Sequence, residues 1–328
     1  MQVVGLDIGY SNLKLAFGQA DRRPQLRVLP AMAAPRVHVA TQLEGAARAG
    51  PSGIAVLVDG EAWIAGVRPT RVSGWQRALH ADYAASDSYR ALLLAALSLL
   101  AVDRVERLVT GLPVSQAVDA GRREALRARI VGRLVTSRSV VEVADVRVIA
   151  QPVGTFIDVL MHAGNAVVDV ISDGTVLVID VGFFSVDWAV LVSGDLRRTA
   201  TGTSLEAMSL LIEAAARLIG ADRGGKPPTA AIERALAERQ TSILYRSERV
   251  ALAGYLDQAA RQTGRVALEA LRQDLRREHT EVDLILLTGG GSALFLPLVR
   301  ELFDKVPLHV PADPVGANAR GYFYYGGR

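Results

Sequence analysis

Two short segments of the chain place an aspartate at the end of an apolar run and a glycine two residues after it. Residues 3–9 read VVGLDIG, and residues 177–182 read LVIDVG. A short turn that contains glycine lets main-chain N–H groups converge on an anion, and a carboxylate at the strand end can hold hydrated Mg²⁺ against the same phosphates. These residue types at this spacing therefore suit the binding of a polyphosphate, such as that of a nucleoside triphosphate.

The two segments repeat one plan in the two halves of the chain. Asp7 matches Asp180 and Gly9 matches Gly182, at an offset of 173 residues in a chain of 328. Each segment alone is also typical of an ordinary β-hairpin with an Asp-Gly turn. Their occurrence as a matched pair favours a duplicated phosphate clamp, with one hairpin in each half.

Three further features could take part in such a site. Lys14 is one of only three lysines and follows Asp7 by seven residues within the first hairpin. Gln151 follows a strand predicted within residues 140–150. Residues 288–292, TGGGS, lie between a predicted strand and a predicted helix, where a glycine main chain can approach a nucleotide closely. A tight strand-to-helix connection is the alternative interpretation of these glycines.

The apolar periodicity predicts the elements that must position these residues. Strands are expected at the two hairpins and over residues 54–58, 62–65, 107–113, 140–150 and 283–287. Helices are expected over residues 88–102, 122–135, 155–162, 204–219, 229–238, 247–279 with a break near Gly264, and 293–303. Residues 30–51 and 164–174 are expected to be loops or links.

Residues 122–135 carry five arginines beside an apolar stripe, which indicates either a solvated helix face or contact with a polymer or an acidic partner.

The composition limits the class of protein. Half of the residues are hydrophobic and the mean hydropathy is +0.23, which is typical of a folded protein. The longest apolar run, residues 91–102, is too short to span a bilayer and no signal peptide is predicted, so we expect a cytoplasmic protein without membrane contact. The sequence lacks cysteine, which excludes disulfides and thiolate metal sites, and its five histidines lack metal-site spacing. A net charge of +3 does not predict direct nucleic-acid binding.

Five segments stand in order along the chain: the Asp7 hairpin, Gln151-Pro152, the Asp180 hairpin, Gly289-Gly290-Gly291, and residues 317–321, ANARG. This order resembles the actin, heat-shock-70 and sugar-kinase superfamily, with its phosphate 1, connect 1, phosphate 2, adenosine and connect 2 motifs. Within it the chain is most similar to the plasmid-segregation actins of the ParM or StbA type, including the PRTRC-system and archaeal actin-like proteins. The resemblance covers nearly the whole length.

The resemblance implies an α/β fold of two actin-like lobes. Each lobe would have a ribonuclease H-like core, so the βββαβα arrangement of strands and helices would be duplicated. A nucleotide would lie between the lobes. Lobe I is expected at residues 1–163 and 310–328, with a small insertion near residues 30–75. Lobe II is expected at residues 164–309, with a helical subdomain near residues 204–280.

The resemblance also assigns roles to individual residues. Asp7 and Asp180 would bind Mg²⁺ through water, and Lys14 would neutralise charge on the β-phosphate. Gln151 would orient the attacking water, and because glutamine is not a strong base, we expect slow, Mg²⁺-dependent hydrolysis in which Asp7 and Asp180 also act. The nucleotide contacts would come from Gly9, Tyr10, Ser11, Asn12, Lys14, Gly182, Phe183, Phe184, Gly289, Gly290, Gly291 and Ser292.

Two places depart from the family pattern. Phe183 and Phe184 stand where the family commonly has glycine or threonine, and bulky side chains there resist positive φ and crowd the γ-phosphate. Tyr10 replaces a small hydroxyl residue in the first hairpin. We expect nucleotide binding to survive these changes, whereas they weaken the expectation of hydrolysis.

The function implied is that of an actin-like protein that polymerises under the control of ATP or GTP with Mg²⁺ and acts in plasmid segregation. Its expected partners are further copies of itself, in a filament, and a DNA-binding adaptor protein. Two alternatives stay open. One is an ATP-binding scaffold without turnover, which Phe183 and Phe184 would suit. The other is a small-molecule kinase of the same fold, in which Asp187 could be the base.

Overall fold

The computed structural model of the chain describes residues 1–40, 53–75, 80 and 82–328. The chain divides into two compact units. Unit 1 comprises Met1–Asp169 and Pro311–Arg328, and unit 2 comprises Val170–Val310. The C-terminal segment thus belongs to the same unit as the N-terminal hairpin.

The main sheet of unit 1 has a central strand that leads to Asp7. The described strands of this unit are β1 (Gln2–Ile8), β2 (Asn12–Gln19), β3 (Gln25–Pro30), β4 (Ala33–Pro35), β5 (Ile54–Val58), β6 (Glu61–Ala65), β7 (Arg104–Val105), β8 (Arg107–Leu112), β9 (Gly132–Val135), β10 (Val140–Val143) and β11 (Val146–Ala150). The main sheet has the order β11-β8-β1-β2-β3, and two three-stranded sheets have the orders β7-β10-β9 and β4-β6-β5. β1 is antiparallel to β2 and parallel to β8, which is parallel to β11. The carboxyl ends of β1, β8 and β11 therefore meet at one edge.

Helices cover both faces of this sheet. The described helices of unit 1 are α1 (Asp87–Ser98), α2 (Val114–Ala117), α3 (Ala120–Ile130), α4 (Gln151–His162) and α10 (Ala317–Gly326), while α5 (Asn165–Asp173) carries the chain into unit 2. Residues Val3 to Ile8 of β1 are all buried, as expected of a strand that is covered on both sides. Leu6 faces the core that α1 helps to form, and Val3 packs with Phe323 of α10.

Glycines allow α10 to lie close to its neighbours. A Cβ on Gly154 of α4 would lie 2.7 Å from the carbonyl oxygen of Asn318 in α10. A Cβ on Gly5 of β1 would lie 2.6 Å from the main-chain nitrogen of Phe323. Larger residues at these two positions would push α10 off the sheet, so the glycines fix the place of the C-terminal helix.

Unit 2 repeats the sheet of unit 1. Its described elements are β12 (Thr175–Val181), β13 (Val186–Val192), β14 (Asp195–Ser204), α6 (Met208–Arg223), α7 (Thr229–Ala237), β15 (Ser242–Tyr245), β16 (Glu248–Ala251), α8 (Ala253–Arg277), β17 (Leu284–Thr288), α9 (Ser292–Leu302) and β18 (Leu308–His309). The sheet order β14-β13-β12-β17-β18 has the same strand directions as β3-β2-β1-β8-β11. The duplicated α/β fold predicted from the sequence is confirmed.

Several predicted helix boundaries are wrong. The helix predicted over residues 247–279 is instead the second strand of the β15–β16 hairpin followed by α8, which is not broken at Gly264. That glycine serves packing, because a Cβ there would lie 2.8 Å from Cδ1 of Leu298. The helix predicted from residue 204 begins at Met208, since β14 extends to Ser204.

Two further segments differ from their predicted elements. The arginine-rich helix predicted over residues 122–135 ends at Ile130, and β9 follows it. The link predicted over residues 164–174 contains α5. Half of the loop predicted over residues 30–51, residues 41–51, lies outside the described residues, and β4 is formed within the described half. None of the described helices combines the length and the apolar character that crossing a membrane needs.

Candidate functional site

The first hairpin joins β1 to β2 and holds a buried ion pair. The main-chain N–H of Gly9 donates to the carbonyl of Asn12 at 3.0 Å and closes the turn. Asp7 and Lys14 lie opposite each other in the two strands, and Lys14 Nζ is 3.0 Å from Asp7 Oδ2. The side chain of Asp7 is only 3% exposed. Lys14 therefore supplies the positive charge that a buried carboxylate requires.

The turn of this hairpin is anchored on two sides. The carbonyl of Ser11 accepts a hydrogen bond from the main-chain N–H of Ala31 at 2.8 Å. The Tyr10 hydroxyl donates to the carbonyl of His80 at 2.9 Å, and the Tyr10 ring stacks on Tyr83 with 4.6 Å between centroids. The side chain of Tyr10 thus binds the segment that contains His80 and Tyr83. The phosphate contact predicted for Tyr10 would therefore have to come from its main chain.

Gln151 opens α4 and reaches the same carboxylate. Its Nε2 lies 3.5 Å from Asp7 Oδ1. An ionised carboxylate only accepts hydrogen bonds, so the amide NH₂ of Gln151 faces Asp7 and the amide oxygen is left to accept from another donor. The structure thus brings together three of the residues predicted to act on the nucleotide: Asp7, Lys14 and Gln151.

A small cavity adjoins Gln151 at the carboxyl edge of the sheet. Its volume is about 20 Å³, the size of about one water molecule. The residues that line it are Ile8, Tyr10, Tyr83, Ala84, Tyr89, Gly111, Leu112, Pro113, Gln116 and Gln151. Sequence reasoning missed Tyr89 and Gln116 as neighbours of the site. Gln116 lies shortly after Gly111-Leu112-Pro113, at the end of the strand predicted over residues 107–113, whereas no local signal marks Tyr89.

Tyr89 and Tyr83 are the two buried tyrosines at this cavity, and each is 4% exposed. Burial raises the pKa of the Tyr89 hydroxyl to about 12, and the nearby Thr110 hydroxyl opposes this with a smaller effect. Among the described side chains, neither of these two hydroxyls has a hydrogen-bond partner of good geometry. Tyr89 therefore remains a neutral donor at physiological pH.

The C-terminal helix supports α4 behind Gln151. Asn318 Oδ1 accepts hydrogen bonds from the main-chain N–H of Thr155 at 3.1 Å and from its hydroxyl at 2.8 Å. Arg320 pairs with both oxygens of Asp158 at 2.9 and 2.6 Å, and with Asp313 at 2.7 Å. These charged hydrogen bonds raise the pKa of Arg320, although burial opposes them, and they fix α4 against α10.

The second hairpin places two carboxylates opposite each other. Asp180 of β12 and Asp187 of β13 form a register pair, where unit 1 has Asp7 and Lys14. Asp187 accepts hydrogen bonds from the hydroxyls of Ser185 and Thr203, each at 2.6 Å. Both of its oxygens are thus used inside unit 2, which favours a structural role for Asp187 over that of a kinase base.

The Phe-Phe turn of this hairpin is tied to α6. The main-chain N–H of Gly182 donates to the carbonyl of Ser185 at 2.9 Å, and the Phe183 carbonyl accepts from the N–H of Ser209 at 2.8 Å. The Phe183 ring packs against the core of unit 2. The turn is therefore closed, and the bulky ring of Phe183 is accommodated by packing.

The three glycines after β17 differ in their surroundings. Gly289 has φ of +87°, and a Cβ there would collide with Asp180 Oδ1 and with the carbonyl of Val181. A Cβ on Gly291 would lie 2.5 Å from Cγ1 of Val181. Gly290, in contrast, has no atom within 4 Å of such a Cβ. Gly289 thus brings the main chain beside Asp180 and Gly291 brings it beside Val181, whereas Gly290 faces open space, where the adenosine contact is predicted.

Two protein families match the chain. Residues 5–154 match the family described as Actin like proteins N terminal domain. Residues 178–301 match the family described as Archaeal actin homologue MreB-like, C-terminal. The two matched ranges contain both hairpins, Gln151 and the glycines that precede α9.

Three solved structures resemble the chain along nearly its whole length. The archaeal actin homologue Ta0583 superposes with a TM-score of 0.75 at 22% identity, over 98% of both chains, and its ADP complex with 0.74 at 20%, also over 98% of both. The 15-stranded ParM filament from Clostridium botulinum gives a TM-score of 0.74 at 16% identity, over 99% of this chain and 98% of the other. At these identities the likeness shows the fold. A search of curated proteins gives no match.

Proposed function

Because the chain belongs to the actin-like proteins, we propose that it binds a nucleoside triphosphate with Mg²⁺ and that the nucleotide controls its assembly with further copies of itself. The observation that carries the proposal is the repeated hairpin. Each unit has its own five-stranded sheet, and the two sheets have the same order of strands. The equivalent hairpin of each sheet carries an aspartate and, two residues later, a glycine: Asp7 and Gly9 in unit 1, Asp180 and Gly182 in unit 2. A structural hairpin has no need to repeat both the carboxylate and the glycine at the central strand.

The residues of both hairpins suit the nucleotide and its cation. Lys14 offers the phosphates a cationic donor that Asp7 already holds in place. Asp7 and Asp180 would hold Mg²⁺, and few carboxylates suffice because Mg²⁺ keeps several of its waters. Bound Mg²⁺ would neutralise charge on the phosphates. The ADP complex of the archaeal actin homologue supports an adenine nucleotide as a ligand to be tested.

Gln151 is the residue proposed to act on water. Its NH₂ faces Asp7, so its amide oxygen can accept a hydrogen bond from a water molecule and orient that water. Glutamine cannot remove that proton, because its amide is not basic. Hydrolysis by this arrangement is therefore slow and depends on positioning.

Assembly into a filament is the second part of the proposal. The likeness to a ParM filament supports self-association of this chain. Plasmid segregation, with a DNA-binding adaptor as the partner, is the biological role that we propose on the same basis. Nucleotide bound to both hairpins would favour one conformation of the chain, and hydrolysis would release it.

Calorimetric titration with ATP, ADP and GTP, with Mg²⁺ and with EDTA, tests the binding step. We expect ATP binding that needs Mg²⁺ and that Lys14→Ala weakens at least about tenfold, a loss of about 1.4 kcal/mol. Lys305→Ala is the matched control, because it removes an exposed lysine outside both hairpins. Equal affinities of the two variants would contradict the proposal.

Sedimentation and phosphate release test assembly and turnover. We expect ATP to move the protein into the pellet and phosphate to appear slowly. A protein that stays monomeric with every nucleotide would overturn the assembly proposal. A specific alternative follows from Phe183 and Phe184, which replace small residues beside the γ-phosphate position. Tight ATP binding and assembly without phosphate release would identify an ATP-binding scaffold.

A further inference from the structure

Tyr89 carries a buried hydroxyl whose hydrogen bond is not met within the described part of the chain. The residue lies in the first turn of α1, is buried, and lines the small cavity beside Gln151. Among the described residues, its Oη has no hydrogen-bond partner of good geometry. Leaving a buried hydroxyl unpaired costs about 1–3 kcal/mol, and ordered water is a common partner of such groups. The unmet hydrogen bond and the cavity thus belong to the same residue.

Thr110 of β8 lies beside this hydroxyl and leaves its proton available. Burial raises the pKa of Tyr89, and the Thr110 hydroxyl opposes that rise, as a group does when it donates towards the tyrosine oxygen. Thr110 is fully buried and is not one of the residues that line the cavity. The O–H of Tyr89 is therefore left to donate to another acceptor, and the cavity is the space in which that acceptor can lie.

Gln151 reaches the same cavity with a side-chain amide that is weakly held. Its one side-chain hydrogen bond to a described residue joins Nε2 to Asp7 Oδ1 at 3.5 Å, which is long for such a bond. The side chain follows the cavity wall, since a Cβ on Gly111 would lie 3.0 Å from Cγ of Gln151. The amide oxygen can accept two hydrogen bonds, so it can bind a group in the cavity and still bind the attacking water.

The cavity has the size and the polar groups that one water molecule needs. Its volume is about 20 Å³, and a water requires about 10–15 Å³ and two to four polar partners. Tyr89 offers a donor and Gln151 an acceptor, while the amide of Gln116, which lines the cavity from α2, offers both. The rings of Tyr10 and Tyr83, which stack with 4.6 Å between centroids, complete the lining with apolar surface. A larger ligand has no room here.

We propose that this cavity binds one ordered water, which accepts the hydrogen bond of Tyr89 and donates one to the amide oxygen of Gln151, so that Tyr89 positions Gln151. The two contacts of Gln151 then favour the same orientation of its amide. With the amide turned over, its oxygen would face the Asp7 carboxylate and its NH₂ would lose the acceptor. Tyr89 acts through Gln151 and the water, so it is a positioning residue. Its effect on hydrolysis rests on the role proposed above for Gln151.

High-resolution crystal structures of the full chain and of Tyr89→Phe test the water directly. The wild-type structure should contain one water at about 2.7–3.2 Å from both Tyr89 Oη and Gln151 Oε1. In Tyr89→Phe that water should be lost or should have moved away from its former position. A wild-type cavity without water, or a water that contacts only one of the two residues, would overturn the inference.

Phosphate release in a single turnover with ATP and Mg²⁺ tests the positioning role. Tyr89→Phe should slow release about tenfold at unchanged ATP affinity, because a displaced positioning group lowers the rate without loss of binding. Tyr325→Phe is the matched control and should keep the wild-type rate, because it removes a tyrosine hydroxyl of α10 that does not line the cavity. Gln151→Ala with Tyr89→Phe should be no slower than Gln151→Ala alone, since Tyr89 acts through Gln151.

Three results would overturn the positioning role. They are a wild-type rate for Tyr89→Phe, a loss of ATP affinity that accompanies the loss of rate, and losses of rate that add fully in the double variant. Absence of phosphate release by the wild-type chain would instead reject the proposed hydrolysis, which is a separate result. The crystal structures would then still decide whether the water links Tyr89 to Gln151.

Discussion

Substitution of Gly289 and Gly290 by alanine separates two roles of neighbouring glycines. Gly289 has φ of +87°, and its Cβ would meet Asp180 Oδ1 and the carbonyl of Val181, while the Cβ of Gly290 meets no atom within 4 Å. The two variants add the same methyl group one residue apart. Any difference between them therefore comes from the local structure.

The expected size of the difference follows from two effects. An alanine in the left-handed region costs about 1–2 kcal/mol, and forcing its methyl group into a packed space costs about 1–3 kcal/mol more. Gly289→Ala should therefore lower the free energy of unfolding by about 2–5 kcal/mol. Gly290→Ala should change it by less than about 1 kcal/mol, and in the stabilising direction, because alanine reduces the entropy of the unfolded chain.

Urea unfolding, followed by circular dichroism, measures this difference. With a slope of about 2 kcal/mol per molar urea, a difference of about 3 kcal/mol shifts the midpoint by about 1.5 M. Equal midpoints for the two variants would refute the reasoning, because they would show that Gly289 neither needs its positive φ nor packs against Asp180.

Four other outcomes follow from the structure. Gly290→Ala should weaken ATP binding in a calorimetric titration despite its stability, since its methyl group enters the open space predicted for adenosine; unchanged affinity would contradict this. Lys14→Ala should destabilise the chain by about 2–4 kcal/mol in urea, because buried Asp7 loses its partner, and adding Asp7→Asn should recover part of the loss. The pKa of a tyrosine is about 10 in the unfolded chain, whereas that of Tyr89 in the fold is about 12, so the folded state keeps the proton to higher pH. The free energy of unfolding should therefore fall by about 2 kcal/mol from pH 10 to pH 12, and Tyr89→Phe should remove that part of the fall. Asn318→Ala should lower the free energy of unfolding by about 1–3 kcal/mol, because it leaves the buried groups of Thr155 without their acceptor, and an unchanged melting temperature would exclude this role.

The two hairpins could be predicted from the sequence because their signals are local. An apolar run, an aspartate and a glycine two residues on are all contained within a few positions, and the repeat of that pattern predicted the pair of hairpins, whereas the duplicated sheet was implied by the family resemblance. The pairing of Asp7 with Lys14 also follows from a hairpin register, since residues opposite each other in antiparallel strands share a face.

The β15–β16 hairpin could not be predicted because its turn lacks the usual residues. Arg246 and Ser247 adopt φ of +51° and +67°, a conformation for which asparagine or glycine is the usual signal. The cavity beside Gln151 was missed for a different reason. Tyr89 and Gln116 reach it from separate helices, and only tertiary packing brings them together.

The number of nucleotides bound per chain tests most directly whether the two hairpins serve one site. In a calorimetric titration with ATP and Mg²⁺, one nucleotide should bind per chain, and either Asp7→Asn or Asp180→Asn should weaken that single event at least about tenfold. Two nucleotides per chain, or a single event that one of the two substitutions leaves unchanged, would show that the hairpins do not share a ligand.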